Sequence, residues 1–448
     1  MMPGARGAAL HALLRVEEGK GYSNLVLDGT LADFPGDRRD RALATALFYG
    51  VLERRITLDY ILGLFSKIPV SGLSPAVREI LRMGIYQIRY MTKIPPSAAV
   101  NESVKLAKSA GEKKAAGFVN AVLRSLLRDP GRVRLPEAGG SPLRRLSVAY
   151  SCPEELISLW EKSYGKSCAE KLLKSLLVRP DVFVRVNNTR LSEEQLLERL
   201  RGEGISAARV PWPDGALRLR QPGEIRGGAC YRGGLLHVQD LSSQICCRLL
   251  DPQPGERIAD VCAAPGGKTF TLAERMENRG AVFAFDRYPG RVGLIREGAR
   301  RLGLSIVRAA VRDAAGPPEG LAGKFDRVLC DVPCSGLGVL RRKPEIRYNF
   351  LPAIDSLPDL QYRILCRSSG LVGEGGVLFY STCTLNPGEN ERIAERFLRE
   401  NRRFRPFPLR TCEMPGHAGD GPRGRLTLMP HVDGTDGFFI AAFQKGRS

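Results

Sequence analysis

The alternation of apolar strand segments with helical segments after Asp240 limits the possible folds of this chain most strongly. Strands are predicted at residues 257–262, 281–286, 305–311, 325–331 and 376–381, with helical periodicity between them. Such alternation predicts a doubly wound α/β domain with a parallel, Rossmann-like sheet, and 436–443 is predicted as a last strand, at the edge or antiparallel. Ligands of such sheets bind beyond the carboxyl ends of the strands, so the residues there are the first candidates for a site.

The remaining sequence is organised differently, and 448 residues are too many for one core. Residues 1–130 carry apolar side chains at helical spacing and are predicted to form an all-α domain, in which Ser97 is predicted to cap a helix over 98–109. Residues 143–235 mix helical and strand patterns and are predicted to form a small α+β domain, with one helix over 153–177 and another that Ser192 caps, while 236–448 form the α/β domain. Residues 129–142 are rich in proline and glycine, which is typical of a linker.

The formal net charge of +20 indicates a polyanionic partner, most simply a nucleic acid. A generally basic, soluble surface is the alternative explanation. Within the all-α region, basic side chains cluster on the last two predicted helices, where they suit RNA phosphates or form a solvated face. They are Lys105, Lys108, Lys113, Lys114, Arg124 and Arg128.

The cysteines and histidines do not suggest a metal site. The eleven cysteines include no Cys-x-x-Cys pair and the four histidines are scattered, so no metal is expected. The odd number of cysteines argues against a disulfide framework and favours reduced thiols in a cytoplasmic protein. No apolar run approaches a membrane span, and the N-terminus is interpreted as a first helix rather than a signal peptide. A monomer is expected.

The loop after the first strand of the α/β domain is predicted to bind a cofactor. It consists of Cys262, Ala263, Ala264, Pro265, Gly266, Gly267 and Lys268. Glycines there let the backbone approach a ligand, and the next helix offers free N–H groups. A Walker A loop is excluded because Cys262 stands where that motif requires glycine, and the Gly-x-Gly-x-x-Gly dinucleotide fingerprint is absent.

Two acidic residues complete the predicted cofactor site. Asp286 ends the second strand, where an acid can accept both ribose hydroxyls of an adenosine. Asp313 follows the third strand and could hold the base. Adenosine without a polyphosphate indicates S-adenosylmethionine as the cofactor.

Two cysteines and an aspartate are the candidates for catalysis. Asp331 ends the fourth strand, Cys334 follows in a glycine-rich turn, and Cys383 follows the fifth strand. Asn386 is predicted to cap a helix whose N-terminus would lower the pKa of Cys383. A thiolate that adds to carbon 6 of a pyrimidine makes carbon 5 able to take a methyl group, and a protonated carboxyl at ring N3 stabilises the adduct. The alternatives are a capping aspartate and inert buried cysteines.

These motifs resemble those of the bacterial Sun/Fmu-type (RsmB) 16S ribosomal RNA cytosine-C5 methyltransferases. The resemblance rests on Cys262-Ala-Ala-Pro-Gly-Gly-Lys268, Asp331-Val-Pro-Cys-Ser-Gly336 and Ser381-Thr-Cys383. Upstream, Tyr86-Gln-Ile-Arg-Tyr90 and Phe118-Val-Asn-Ala-Val-Leu-Arg124 resemble the NusB-like RNA-binding domain of this subgroup. Together, these resemblances cover nearly the whole chain.

The resemblance implies a role for each candidate. Cys383 is implied to be the nucleophile, Cys334 to assist release of the methylated base, and Asp331 to contact cytosine N3 and the cofactor edge. Residues 262–268, Asp286 and Asp313 are implied to bind S-adenosylmethionine, and 16S ribosomal RNA to be the substrate. The family often has serine where this chain has Thr384, which keeps the hydroxyl. The alternatives are a relative that methylates tRNA and an inactive RNA-binding assembly or transcription factor.

Overall fold

The structure is a computed structural model that describes residues 4–19, 21–136, 141–220, 223–417 and 424–447. The chain divides into two compact units. The first comprises Met1–Val178 with Leu340–Asn349, and the second comprises Arg179–Val339 with Phe350–Ser448. The predicted boundaries of the three domains stay a prediction. The predicted linker lies partly outside the described residues.

The first unit is helical, as its apolar periodicity predicts. Its α-helices are α1 (Gly4–Glu17), α2 (Ser23–Ala32), α3 (Arg38–Glu53), α4 (Arg55–Phe65), α5 (Pro75–Tyr90), α6 (Pro96–Ser109), α7 (Ala116–Arg128), α8 (Pro142–Tyr150), α9 (Glu154–Tyr164) and α10 (Lys166–Ser175). Buried side chains from α1 to α7, mostly leucine, valine, isoleucine and alanine, form one core. The six basic side chains predicted on α6, α7 and their connection are all exposed, as phosphate contacts require.

A segment from much later in the sequence completes this unit. Leu340–Asn349 contains a 3₁₀ turn over Pro344–Tyr348, and Arg347 within it is fully buried. The Arg347 guanidinium donates to the carbonyls of Ser151, at 3.2 Å, and of Leu340, at 3.2 Å. The Tyr348 hydroxyl donates to the Leu52 carbonyl at 2.7 Å. The bonds to Ser151 and Leu52 join the segment to the helical part of the first unit.

The second unit begins with a small antiparallel sheet. Its elements are β1 (Val182–Val186), α11 (Glu193–Gly202), β2 (Ser206–Arg209), β3 (Ala216–Arg220), α12 (Ala229–Arg232) and β4 (Leu236–Val238). The strand order is β2-β3-β1-β4. Ser192 forms a capping box with Gln195, which fixes the start of α11. The predicted α+β mixture is confirmed.

The rest of the second unit is the predicted α/β fold. Its elements are α13 (Leu241–Leu250), β5 (Arg257–Asp260), α14 (Gly267–Arg275), β6 (Ala281–Asp286), α15 (Pro289–Leu302), β7 (Val307–Val311), β8 (Phe325–Asp331), α16 (Leu351–Ser369), β9 (Val372–Thr382), α17 (Glu391–Glu400), β10 (Phe404–Pro406), β11 (Arg425–Leu428), α18 (Pro430–Asp433) and β12 (Phe438–Lys445).

The order of these strands places the site. It runs β7-β6-β5-β8-β9-β12-β10, with β11 also paired to β12. Strands β5 to β9 are parallel, whereas β12 is antiparallel and lies between β9 and β10. The connections leave β5 in one direction toward β6 and β7 and in the other toward β8, so ligands are expected beyond the carboxyl ends of β5 and β8. No helix among the described residues has the length and apolarity needed to cross a membrane.

Two predicted helix boundaries are wrong. Residues 153–177 are predicted as one helix, but Gly165, with a φ of 81°, separates α9 from α10. Ser97 is predicted to cap the helix after it, yet α6 begins one residue earlier, at Pro96. Proline accounts for the second difference, because its fixed φ suits the first turn of a helix.

Candidate active site

Four aspartates lie at the carboxyl ends of neighbouring strands. Asp260 is the last residue of β5, Asp286 of β6 and Asp331 of β8, while Asp313 lies two residues after β7. Because these strands are parallel neighbours, their carboxyl ends share one edge of the sheet. The structure therefore brings the predicted acidic residues to one edge and adds Asp260 to them.

The predicted cofactor loop joins β5 to α14. The N–H of Ala263 donates to the Phe285 carbonyl at 2.8 Å, and Arg291 donates to the Ala264 carbonyl at 2.7 Å, so the loop is held against the next strand and helix. Gly266 has a φ of 112°, and a Cβ there would lie 2.2 Å from the Phe270 ring. Only glycine satisfies both conditions. The last two loop residues, Gly267 and Lys268, begin α14, so the loop leads into the free N–H groups of that helix's first turn.

Asp260 has an unusual electrostatic environment that sequence reasoning missed. Its side chain is buried, and one oxygen accepts a hydrogen bond of 2.7 Å from the Thr269 hydroxyl. Burial, with a contribution from the charge of Asp331, raises the pKa of Asp260 to about 7. An acidic residue at the end of an otherwise apolar strand was the available signal.

The two residues predicted to hold adenosine differ in exposure. Asp286 is buried, its Oδ1 accepts from the Tyr288 N–H at 3.1 Å, and its Oδ2 lies 3.4 Å from the Arg291 guanidinium. Asp313 is half-exposed, and its Oδ1 accepts from the Ala315 N–H at 2.9 Å. These bonds orient both carboxylates at their strand ends. Their roles toward the cofactor stay a prediction.

Asp331 is held from two sides. Its Oδ2 accepts from the Lys268 ammonium at 2.8 Å, and its Oδ1 accepts from the Ser381 hydroxyl at 2.8 Å. Burial lowers the pKa of Lys268, but the charge and hydrogen bond of Asp331, together with Cys246 and Cys247, outweigh it and the net shift is upward. Both contacts fix the orientation of the Asp331 carboxyl. Lys268 therefore connects the cofactor loop to the predicted catalytic carboxyl.

The two predicted catalytic cysteines lie together. The Cys334 and Cys383 sulfurs are 3.2 Å apart, and the Gly338 N–H donates to the Cys383 carbonyl at 3.0 Å. The hydrogen bond between the thiols, followed by desolvation and nearby charge, raises the pKa of Cys334 well above its ordinary value. The close approach of the two sulfurs therefore disfavours two thiolates side by side.

The predicted cap for the helix after Cys383 is wrong. Helix α17 begins at Glu391, not at Pro387, and its N-cap is Asn390. Asn386 instead forms a turn, in which its Oδ1 accepts from the Gly388 N–H at 3.0 Å. Asn390 still joins the helix start to the cysteine segment, because its Nδ2 donates to the Thr384 carbonyl at 2.9 Å.

Comparison with known proteins identifies the family. Residues 247–444 match the family model described as 16S rRNA methyltransferase RsmB/F, residues 3–128 match the NusB family, and residues 152–226 match the RsmF/B-like ferredoxin-like domain. The chain is 39% identical to the probable ribosomal RNA small subunit methyltransferase B of Bacillus subtilis, over 98% of both proteins. The chain belongs to the RsmB/F family.

Further relatives match two thirds of the chain or more. Ribosomal RNA small subunit methyltransferase B of Pseudomonas syringae is 32% identical, over 98% of this chain and 96% of that protein. The crystal structure of PH0851 superimposes with a TM-score of 0.82 at 26% identity, over 98% of this chain and 99% of the other. A methyltransferase homolog protein from Pyrococcus horikoshii has a TM-score of 0.59 at 30% identity and covers 68% of this chain and 100% of its own.

RsmB/F proteins are S-adenosylmethionine-dependent methyltransferases of small-subunit ribosomal RNA, which confirms the predicted cofactor and class of enzyme. The predicted NusB-like domain, α+β domain and α/β domain are confirmed as well. The strand ends suit this cofactor. The buried Oδ1 of Asp260 receives no side-chain hydrogen bond, which leaves acceptor capacity beside the loop for a hydrogen-bonding group.

Proposed function

We propose that this RsmB/F methyltransferase modifies carbon 5 of one cytosine in 16S ribosomal RNA through a covalent bond between Cys383 and carbon 6 of the base. The observation that carries the proposal is the 3.2 Å approach of the Cys334 and Cys383 sulfurs at the ends of two adjacent parallel strands. Asp331 ends the first of these strands. One flipped base can therefore meet a thiol pair and a carboxyl together.

The Cys383 sulfur attacks carbon 6 as a thiolate, and the ring electrons move toward carbon 5. S-adenosylmethionine supplies the methyl group that carbon 5 takes. Hydrogen bonds from Lys268 and Ser381 orient the Asp331 side chain, whose carboxyl faces ring N3. In its protonated form this carboxyl donates its proton to N3 as the ring gains negative charge, which stabilises the adduct, and it takes the proton back when the bond to carbon 6 breaks. Loss of the carbon 5 proton then lets the Cys383 sulfur leave as a thiolate.

The contact between the thiols supports two separate roles. One thiol of the pair can keep its proton and donate it toward the other, whose sulfur then carries the negative charge. A thiolate is the nucleophilic form of cysteine, and we assign it, and with it the attack, to Cys383, as the resemblance to the family implies. Cys334 is assigned to the elimination, where the same sulfur leaves carbon 6.

Two alanine variants test this assignment. Cys383→Ala is expected to abolish methylation and to form no covalent RNA adduct. Cys334→Ala is expected to attack but to release poorly, so a protein–RNA species that survives denaturing electrophoresis should accumulate. Cys412→Ala is the matched control, because this exposed cysteine lies in a loop after the catalytic segments and should leave activity unchanged.

The outcomes distinguish the possible errors. Adduct accumulation in Cys383→Ala, and not in Cys334→Ala, would reverse the two roles. Full activity of both variants would show that the thiols are structural. Bisulfite mapping of the product decides the substrate, and modification of tRNA in place of 16S ribosomal RNA would refute that part of the proposal.

A further inference from the structure

A buried carboxylate lies behind the two cysteine segments and has no part in the proposed chemistry. The Glu389 side chain is fully buried, and its Oε2 accepts from the Ser335 N–H at 2.8 Å and from Gln361 Nε2 at 2.8 Å. Its Oε1 accepts from the Ser335 hydroxyl at 2.5 Å and from Asn386 Nδ2 at 3.0 Å. Four donors thus occupy the acceptor positions of the carboxylate, which is why this charge can be buried.

These hydrogen bonds reach the residues on both sides of Cys334. Ser335 follows Cys334 and is held through its backbone N–H and its hydroxyl. Gln361, which donates to Glu389, also donates to the carbonyl of Pro333 at 2.9 Å. The chain at Cys334 is therefore held at the preceding and the following residue, which leaves its thiol little freedom to move.

The same network reaches the Cys383 segment through a hydroxyl pair. The Ser335 and Thr384 hydroxyl oxygens are 2.7 Å apart, and Thr384 is buried. Because the single Ser335 hydroxyl proton is donated to Glu389, the Thr384 hydroxyl must donate to Ser335. The threonine that replaces the usual serine of the family thus keeps a required donor.

Glu389 itself is held in position by the sheet. The Tyr380 hydroxyl, from β9, donates to the Glu389 carbonyl at 2.6 Å, and both residues are buried. The carboxylate is therefore attached to the strand that leads to Cys383 while its oxygens hold the segment that follows β8. It connects the two segments that carry the thiols.

We propose that Glu389 is a positioning residue that keeps the Cys334 and Cys383 thiols in contact, so that both act on one base. The roles of the thiols rest on the proposed function, whereas the positioning itself does not. Glu389→Gln keeps the size of the side chain but turns one oxygen into a donor. Each oxygen of Glu389 accepts two hydrogen bonds, so in either orientation the new NH₂ group of glutamine faces two groups that donate to Glu389. Hydrogen bonds at that oxygen must therefore break.

Disulfide formation measures the positioning without RNA or cofactor. Diamide oxidises two neighbouring thiols to a disulfide and is itself reduced to the hydrazine, and peptide mapping identifies the Cys334–Cys383 product. We expect Glu389→Gln to form this disulfide at least about tenfold more slowly than the unmodified protein. Glu274→Gln is the matched control, because Glu274 is equally buried in the same unit but pairs with Arg185, and its rate should not change.

Smaller changes keep the test decisive if Glu389→Gln folds poorly. Ser335→Ala and Thr384→Val each remove one hydroxyl that links Glu389 to the Cys383 segment. Each should slow formation of the Cys334–Cys383 disulfide by a smaller factor than Glu389→Gln does. The double variant Glu389→Gln/Ser335→Ala should be no slower than Glu389→Gln alone, since both interrupt one path. Folding of each variant is checked by its near-ultraviolet circular dichroism.

Methylation provides the second measurement. Glu389→Gln is expected to lower kcat by about a hundredfold, as for a misplaced catalytic group, with the KM for S-adenosylmethionine unchanged. Unchanged disulfide formation in a folded Glu389→Gln variant would overturn the positioning role even if cytosine methylation is proven. Conversely, absence of cytosine methylation by the unmodified protein would refute the proposed function and leave the disulfide result valid.

Discussion

The pKa of Asp260 makes a quantitative prediction about stability. Burial first, then the nearby Asp331 charge, raises this pKa from 3.8 to about 7. A raised carboxyl pKa means that the folded protein holds a proton which the unfolded chain has lost. The contribution to stability is therefore complete below the unfolded pKa, near 4, and is lost as the pH rises through 7. Asp260→Asn removes this titration while keeping the shape of the side chain.

The size of the effect follows from the two pKa values. A difference of about three pKa units corresponds to about 4 kcal/mol above pH 7, and roughly 1.7 kcal/mol of this is already lost at about pH 5. Between about pH 5 and pH 8, the free energy of unfolding of the unmodified protein should thus fall by roughly 2.5 kcal/mol more than that of Asp260→Asn. For a unit of this size, the Tm of the unmodified protein should therefore fall by about 5–10 °C more than the Tm of Asp260→Asn over this pH interval.

Thermal unfolding of both proteins between these pH values tests the prediction. Any constant effect of the asparagine cancels, because only the pH dependence of the Tm difference is used. Asp355→Asn is the matched control for the substitution itself, because Asp355 is an exposed aspartate on α16. A Tm difference between Asp260→Asn and the unmodified protein that stays constant from pH 5 to pH 8 would refute the raised pKa.

Two further predictions concern the ligands. Asp286→Ala should weaken S-adenosylmethionine binding by about 1.5–3 kcal/mol, as for a lost charged hydrogen bond, and unchanged affinity in calorimetry would remove Asp286 from the site. Replacing the exposed Lys108, Lys113 and Lys114 by glutamine should weaken RNA binding and flatten the logarithmic salt dependence by up to about 2, while cofactor affinity is unchanged. An unaltered salt slope in filter binding would show that these lysines do not contact phosphates.

The sequence predicted those elements whose formation depends on neighbouring residues. Strand β6 occupies the predicted residues 281–286, and Ser192 caps α11 as predicted, because apolar runs and capping side chains act over a few residues. The edge strand β2, with the small and polar sequence Ser206–Arg209, was missed because it buries little and depends on pairing with β3.

The same division between local and distant interactions applies to the site. Cys262 to Lys268, Asp331, Cys334 and Cys383 carry specific motifs, and the structure brings the two thiols together. Asp260 and Glu389 were missed as site residues because their properties arise from burial and from hydrogen bonds to distant segments. Ser335 lies 54 positions from Glu389 in the sequence, and no local pattern reports such a contact.

The segment Leu340–Asn349 also has a consequence for the order in which the protein forms on the ribosome. The helical unit is discontinuous, since its buried Arg347 is encoded after most of the α/β unit. At ordinary rates of synthesis, roughly ten to thirty seconds separate the completion of α10 from the appearance of this arginine. Throughout that interval the nascent helices have every one of their own residues and still lack one of the side chains around which they pack.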